Sequence, residues 1–218
     1  MEIINPVPGL ITTTNVIIGV TVLLSFYAFS NRSLMSDLIM NPYRIRTRKQ
    51  YYRFLTSGFI HNDHMHLLFN MVSLYFFGPV IEMLFTMLFG KLLGLIYFIA
   101  LYLLGIVVSD IPTYFKHQNN PGYNALGASG GVAAVIFAFI VFLPLEKIYI
   151  FLAVPVPGFI LGTLYVIFSW YQGRKSNDNI NHDAHLYGAL FGIIFCFILY
   201  PPSIGNFFKQ IMEWKVFH

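Results

Sequence analysis

Gly127-Ala128-Ser129-Gly130-Gly131 opens a run, Val132 to Leu143, without a single charged residue. A run of that kind reads as a helix within a membrane. Glycines on both sides of Ser129 weaken the helix there and leave its hydroxyl uncovered. Packing alone accounts for such a stretch: Gly127 and Gly131, or Gly130 and Ala134, form small faces that let helices approach closely. An uncovered nucleophile is the other reading, and the remaining polar residues decide between them.

The composition points to an integral membrane protein. Of 218 residues, 57% are hydrophobic and only 10% charged, and mean hydropathy is +0.68; soluble domains carry roughly 25% charged residues. A net charge of +4, spread thinly, leaves no footprint for nucleic acid. The one cysteine, Cys196, lies in an apolar run and excludes an internal disulfide.

Six apolar segments are expected to cross the bilayer, at about 10–29, 65–88, 92–109, 126–143, 148–168 and 184–200. The fold class is therefore all-α, a polytopic six-helix bundle forming one membrane domain over 1–218. The first segment reads as a retained anchor, because Glu2 is the only charge before it. Gly78-Pro79 implies a kink in the second, and Pro155, Pro157 and Gly158 an irregular start to the fifth. Asp110 to Asn124 reads as a connection broken by Pro112, Pro121 and Gly122. Basic residues favour termini outside: Lys91, Lys147, Lys209 and Lys215 share the termini's side, and the other nine lie opposite.

The polar residues of the apolar segments are not scattered. His61, His64, His66 and Asn70 mark the start of segment 2, Ser129 that of segment 4, and His182 and His185 that of segment 6. These three segments run the same way through the membrane, so topology alone puts their beginnings in one layer. Ionisable groups at such depth are functional candidates by default. His66 and Asn70, four apart, share a helix face, and His185, Gly188 and Gly192 share another. The small face of segment 4 is the natural partner of that second stripe, which brings Ser129 towards His185. Serine beside a neutral histidine suffices for nucleophilic catalysis. His66, Asn70 and the Ser129 N–H could then donate to an oxyanion.

Plainer readings stand beside these. His61 and His64 precede the helix and suit the membrane interface. Asp63 suits a helix N-cap, and His182 and Asp183 a loop and cap. Asn70 suits an interhelical hydrogen bond. Glu82 faces the interface or serves the interior, and Trp170 and Tyr171 suit an interfacial belt. Asp183 is the only carboxylate near His185, and its position points it elsewhere.

Taken together these motifs resemble the rhomboid family of intramembrane serine proteases. Gly127-Ala128-Ser129-Gly130 is similar to the family's GxSG, which implies Ser129 as nucleophile. Ala184 to Gly192 is similar to its AHxxGxxxG, with Gly188 and Gly192 in place, which implies His185 as general base. His61, His66 and Asn70 keep its His-x4-His-x3-Asn spacing, implying His66 and Asn70 at the oxyanion site. Tyr52-Arg53 resembles an aromatic-Arg pair in the first loop, and Glu82 a structural glutamate. The resemblance spans essentially the whole chain. It departs at Ala133, where the family carries an aromatic that stacks on the histidine; Tyr187 and Phe137 are the candidate substitutes. It also implies that the Arg-rich first connection lies outside, against the charge distribution.

The expected function is an intramembrane serine endopeptidase that acts on single-span membrane proteins, without metal or cofactor and without a nucleic-acid partner. The bilayer is its medium, and a monomer in a bacterial cell membrane suits the short chain. Segment 5 and the connection 172–181 are the expected gate and cap. The rivals are a rhomboid-like pseudoprotease and a metalloenzyme or transporter using His61, His64, His66, His182 and His185.

Overall fold

The computed structural model describes residues 12–150, 153–175 and 180–214. Within them lie ten α-helices: α1 (Thr13–Ser30), α2 (Arg32–Leu38), α3 (Pro42–Arg48), α4 (Arg53–Thr56), α5 (His64–Phe89), α6 (Lys91–His117), α7 (Ser129–Phe142), α8 (Gly158–Lys175), α9 (His182–Leu199) and α10 (Pro202–Met212). A short 3-10 turn spans Ser57–Phe59, and strands β1 (Lys147–Ile150) and β2 (Val154–Pro157) form one antiparallel hairpin. The protein is a helical membrane bundle. Helices α1, α5, α6 and α9 are long and apolar enough to cross a bilayer. Helix α7 has only 14 residues, and ten of them are buried.

Small residues make α7 the centre of the bundle. On one side a Cβ built on Gly105 of α6 would lie 3.1 Å from the Gly131 Cα. On the other, a Cβ on Gly188 would lie 2.9 Å from the Gly130 Cα, and one on Gly192 2.8 Å from the Ala134 Cα. Without side chains at these points the backbones of α6, α7 and α9 meet directly, which is how membrane helices gain packing when lipid is as apolar as they are. Leu74, Ile81, Phe85, Phe98, Leu101 and Val135 fill the remaining core.

Glu82 anchors α1. Its carboxylate accepts from the backbone N–H of Thr13 and Thr14, at 2.8 and 2.9 Å, and from the Thr14 hydroxyl at 2.8 Å. An anion at a helix N-terminus satisfies donors the helix cannot. Glu82 therefore serves the interior, and it joins α5 to α1.

Three stretches depart from the sequence reading. Helix α6 continues to His117, two turns past the expected end of the third segment, and carries Pro112 within it. Residues 148–150 and 154–157, expected inside the fifth segment, are strand residues of the hairpin, with Ile148 opposite Val156 and Ile150 opposite Val154. The helix that follows starts at Gly158 and ends with Arg174 and Lys175. Part of the expected cap, residues 176–179, lies outside the described residues.

Candidate functional site

Three restraints position the backbone entering α7. Ala125 pairs with Met40, the Gly127 N–H donates to the Ser57 carbonyl at 2.9 Å, and the Ala128 N–H donates to His61 Nε2 at 3.2 Å. Gly127 has φ +119°, a conformation glycine adopts at no steric cost. The missing side chain also makes room: a Cβ there would lie 2.7 Å from His66 Nε2. The His66 ring thus packs on the chain two residues before Ser129. Ser129 is the first residue of α7, and no side chain caps that end. Its opening N–H groups have no partners within the helix.

His61 is fully buried, contrary to its reading as an interfacial residue. A backbone N–H can only donate, so Nε2 accepts from Ala128 and the ring carries its proton on Nδ1. That Nδ1–H faces the Ser25 hydroxyl at 3.0 Å, which in turn donates to the Phe59 carbonyl at 3.2 Å. Burial, with His66 alongside, lowers its pKa to about 3, against a small upward pull from Asp63. His61 is a neutral strut between α1 and the Ser129 loop. His64 lies apart from it, packed on Phe29 and Phe26 of α1. Asp63 caps α5, accepting from the His66 N–H at 2.8 Å, and that bond holds its carboxyl below the usual range.

The Gly130–Gly188 contact brings the starts of α7 and α9 together. Ser129 precedes Gly130 by one residue, and His185 precedes Gly188 by less than one turn. The His185 ring stacks on Tyr165 of α8, with centroids 6.2 Å apart and planes at 18°. Phe137, one candidate for that place, packs behind Tyr165 at 5.6 Å. Tyr187, the other, is 39% exposed. Asn70 is buried and donates through Nδ2 to the His66 carbonyl at 2.9 Å, which leaves it a second N–H.

Beside Ser129 lies a small polar cleft with room for about one water, lined by Ser109, Asp110, Gly127, Ser129 and Asn181. Asp110, expected in a connection, belongs to α6 and is buried. Its carboxylate faces Ser57 Oγ and Asn181 Nδ2, each at 3.5 Å. Asn181 Oδ1 accepts from the Ala184 N–H at 3.2 Å and from Thr113 Oγ1 at 3.1 Å. Asn181 is therefore the cap of α9. Asp183 instead pairs with Lys116 at 2.9 Å, and His182 is buried in the first turn. Arg53, also buried, donates to Gln50 Oε1 and to the carbonyls of Ser36 and Ile39 at 2.7 to 2.9 Å, which folds the connection after α1 onto itself. Among the described residues no three His, Cys, Asp or Glu side chains come together as a metal-ligand set.

Asp110, Asn181, Tyr165 and Ser25 were not singled out from sequence. An asparagine three residues before Ala184 is a recognisable capping signal. The others depend on which helices pack together, which no local pattern gives.

Residues 48–202 match the Rhomboid domain family model. The mitochondrial RHOMBOID-like protein 12 of Arabidopsis thaliana is 27% identical over 189 residues, covering 80% of this chain and 54% of the relative. The mitochondrial Presenilin-associated rhomboid-like protein A of Danio rerio is 35% identical over 144 residues, covering 63% and 34%. The rhomboid protein YdcA of Bacillus subtilis (strain 168) is 25% identical over 154 residues, covering 68% and 67%. The chain thus spans about half the length of the plant relative and a third of the fish one. With the GxSG stretch, the histidine–glycine stripe and the domain match falling on one bundle of membrane helices, the chain belongs to the rhomboid family.

Proposed function

We propose that the protein is an intramembrane serine endopeptidase in which Ser129 is the nucleophile and His185 the general base. The observation that carries this reading is the backbone contact of Gly130 with Gly188, because it sets the first turns of α7 and α9 side by side. In the proposed reaction Ser129 Oγ forms a bond to the substrate carbonyl carbon and passes its proton to the His185 imidazole. As the peptide C–N bond breaks, that proton leaves on the amine. Water, deprotonated by the same imidazole, then releases the acyl group and restores the serine.

Charge develops on the carbonyl oxygen in both halves. The uncapped N-terminus of α7 offers N–H donors and the positive end of a helix dipole. His66, packed on Gly127, and the second N–H of Asn70 are the side chains we assign to the same task. Tyr165 keeps the His185 ring in one orientation.

The substrate we propose is a transmembrane segment of another protein, opened locally so that its amide can reach Ser129. Residues of low helix propensity favour that opening. Helices α7 and α8 are the two remaining crossings of a six-span topology, and a bacterial cell membrane is the proposed location.

Purified wild type and Ser129→Ala protein, reconstituted with a fluorescent single-span substrate, test the reading. Cleavage by wild type that vanishes in the variant and survives chelator is the expected result. Equal cleavage by both would refute the serine mechanism. A fluorophosphonate probe should label wild type alone; absence of both labelling and cleavage would leave a protein that holds membrane segments without cutting them.

A further inference from the structure

The connection between α1 and α5 carries Arg32, Arg44, Arg46, Arg48, Lys49 and Arg53, against a single acid, Asp37, between residues 31 and 60. None of these cations makes an ion pair among the described residues, where the pairs are Lys116–Asp183 and Lys209–Glu213. Arg53 is used internally. Arg46 reaches the Asn119 side chain. Arg32 and Arg44 instead line a groove of about 290 Å³ that also touches Met35, Ile39, Pro121 and Asn124.

The groove is built rather than incidental. Arg44 Nη1 donates to the Ser36 carbonyl at 3.2 Å and to Ser36 Oγ at 3.1 Å, which fixes its guanidinium and leaves other N–H donors for a ligand. Asn41 donates through Nδ2 to the Pro121 and Tyr123 carbonyls, each at 3.2 Å, and so holds the far wall in place. Two guanidinium groups at one groove suit a phosphate, which arginine binds through paired N–H donors.

Its depth indicates where the phosphate comes from. Helix α1 ends at Ser30, and Asn31 is at once its C-cap and the N-cap of α2. Arg32 therefore sits where a membrane-crossing helix leaves the hydrocarbon. Tyr43, Tyr51 and Tyr52 in the same connection are 39%, 57% and 48% exposed, as aromatics are at the headgroup level. Met35 and Ile39 give the groove an apolar side for glycerol and the first methylenes. We infer that this groove is a binding site for the phosphate headgroup of an anionic phospholipid, held by Arg32 and Arg44.

The inference is independent of the proteolytic reading, so its test needs no activity. The Ser129→Ala protein would be placed in nanodiscs of equal phosphatidylglycerol and phosphatidylcholine, and retained lipid counted by native mass spectrometry after release. Preferential retention of phosphatidylglycerol is expected, falling about tenfold in Arg32→Gln/Arg44→Gln, a loss of about 1.4 kcal/mol shared between the two weakened guanidinium contacts. Arg32→Gln alone, which breaks no hydrogen bond among the described residues, should lose several-fold and guards against misfolding of the double variant. Unchanged retention in both variants would overturn the site. Displacement of the lipid by millimolar inorganic phosphate would overturn the lipid assignment in favour of a free anion.

Discussion

Tyr165 of α8 stacks on His185 of α9, centroids 6.2 Å apart and planes 18° from parallel, although the two residues share no element and no motif. An aromatic partner of this kind contributes about 0.5–1.5 kcal/mol beyond its buried area. Tyr165→Leu should therefore lower the melting temperature slightly and, by freeing the His185 ring, lower kcat by roughly threefold to tenfold. Tyr165→Phe, which keeps the ring, should restore the rate. Steady-state cleavage of the fluorescent substrate by the two variants is the measurement, and an unaffected Tyr165→Leu variant would remove Tyr165 from the proposed site.

Gly188 and Gly130 touch through their backbones, so a methyl at 188 has nowhere to go except into α7. Overpacking of a tight contact costs about 1–3 kcal/mol. Gly188→Ala should lower the melting temperature in detergent and depress activity together. Among the described residues nothing lies within 4 Å of the missing Cβ of Gly205 in α10, so Gly205→Ala is the control and should leave both unchanged.

The Glu82 carboxylate accepts three hydrogen bonds from the first turn of α1. Hydrogen bonds to a charged group contribute about 1.5–3 kcal/mol each to stability. Glu82→Gln keeps the shape but replaces one oxygen with an NH2 that faces donors, so a loss of about 2–3 kcal/mol is expected. Proteolytic nicking near the start of α1 should rise in step, because this helix end loses its tie to α5.

His61 links pH to stability. Its folded pKa of about 3 lies below the ordinary 6.5, so between those values the unfolded chain binds a proton that the native protein refuses. The stability that neutral His61 provides is complete above about pH 6.5 and drains away as pH falls towards 3. Melting at pH 7 and pH 5 should show a larger drop for wild type than for His61→Gln, which has no proton to gain. Equal drops would mean that other groups set the acid sensitivity.

Much of the bundle was legible because membrane helices announce themselves by unbroken apolar length, and because glycine stripes such as Gly188/Gly192 name the faces that meet. The hairpin of β1 and β2 was not. Ile148 to Val154 is apolar enough to pass for the start of a span, and hydropathy cannot separate a paired strand from a helix. Pro155 and Pro157 carried the signal, since proline suits an edge strand and not a helix interior. The extension of α6 failed for the opposite reason. Pro112 ends helices in water, but packed neighbours tolerate it inside a membrane bundle, so Asp110 was left in a loop. Of the two readings of His61 the interfacial one fails, because its partners, Ser25 and Ala128, lie 36 and 67 residues away.

The brevity of α7 bears on where chemistry can occur. Fourteen residues rise about 21 Å, roughly two-thirds of a hydrocarbon core about 30 Å thick. Ser129 is its first residue, so in the proposed reading the helix works as a depth gauge that recesses the hydroxyl below the membrane surface. A substrate would then be measured by how far its scissile bond lies from the end of its own span, before any side chain is recognised. Inserting one helical turn between the end of the substrate's span and its scissile bond would carry that bond about 5 Å past Ser129 and move cleavage to a different bond.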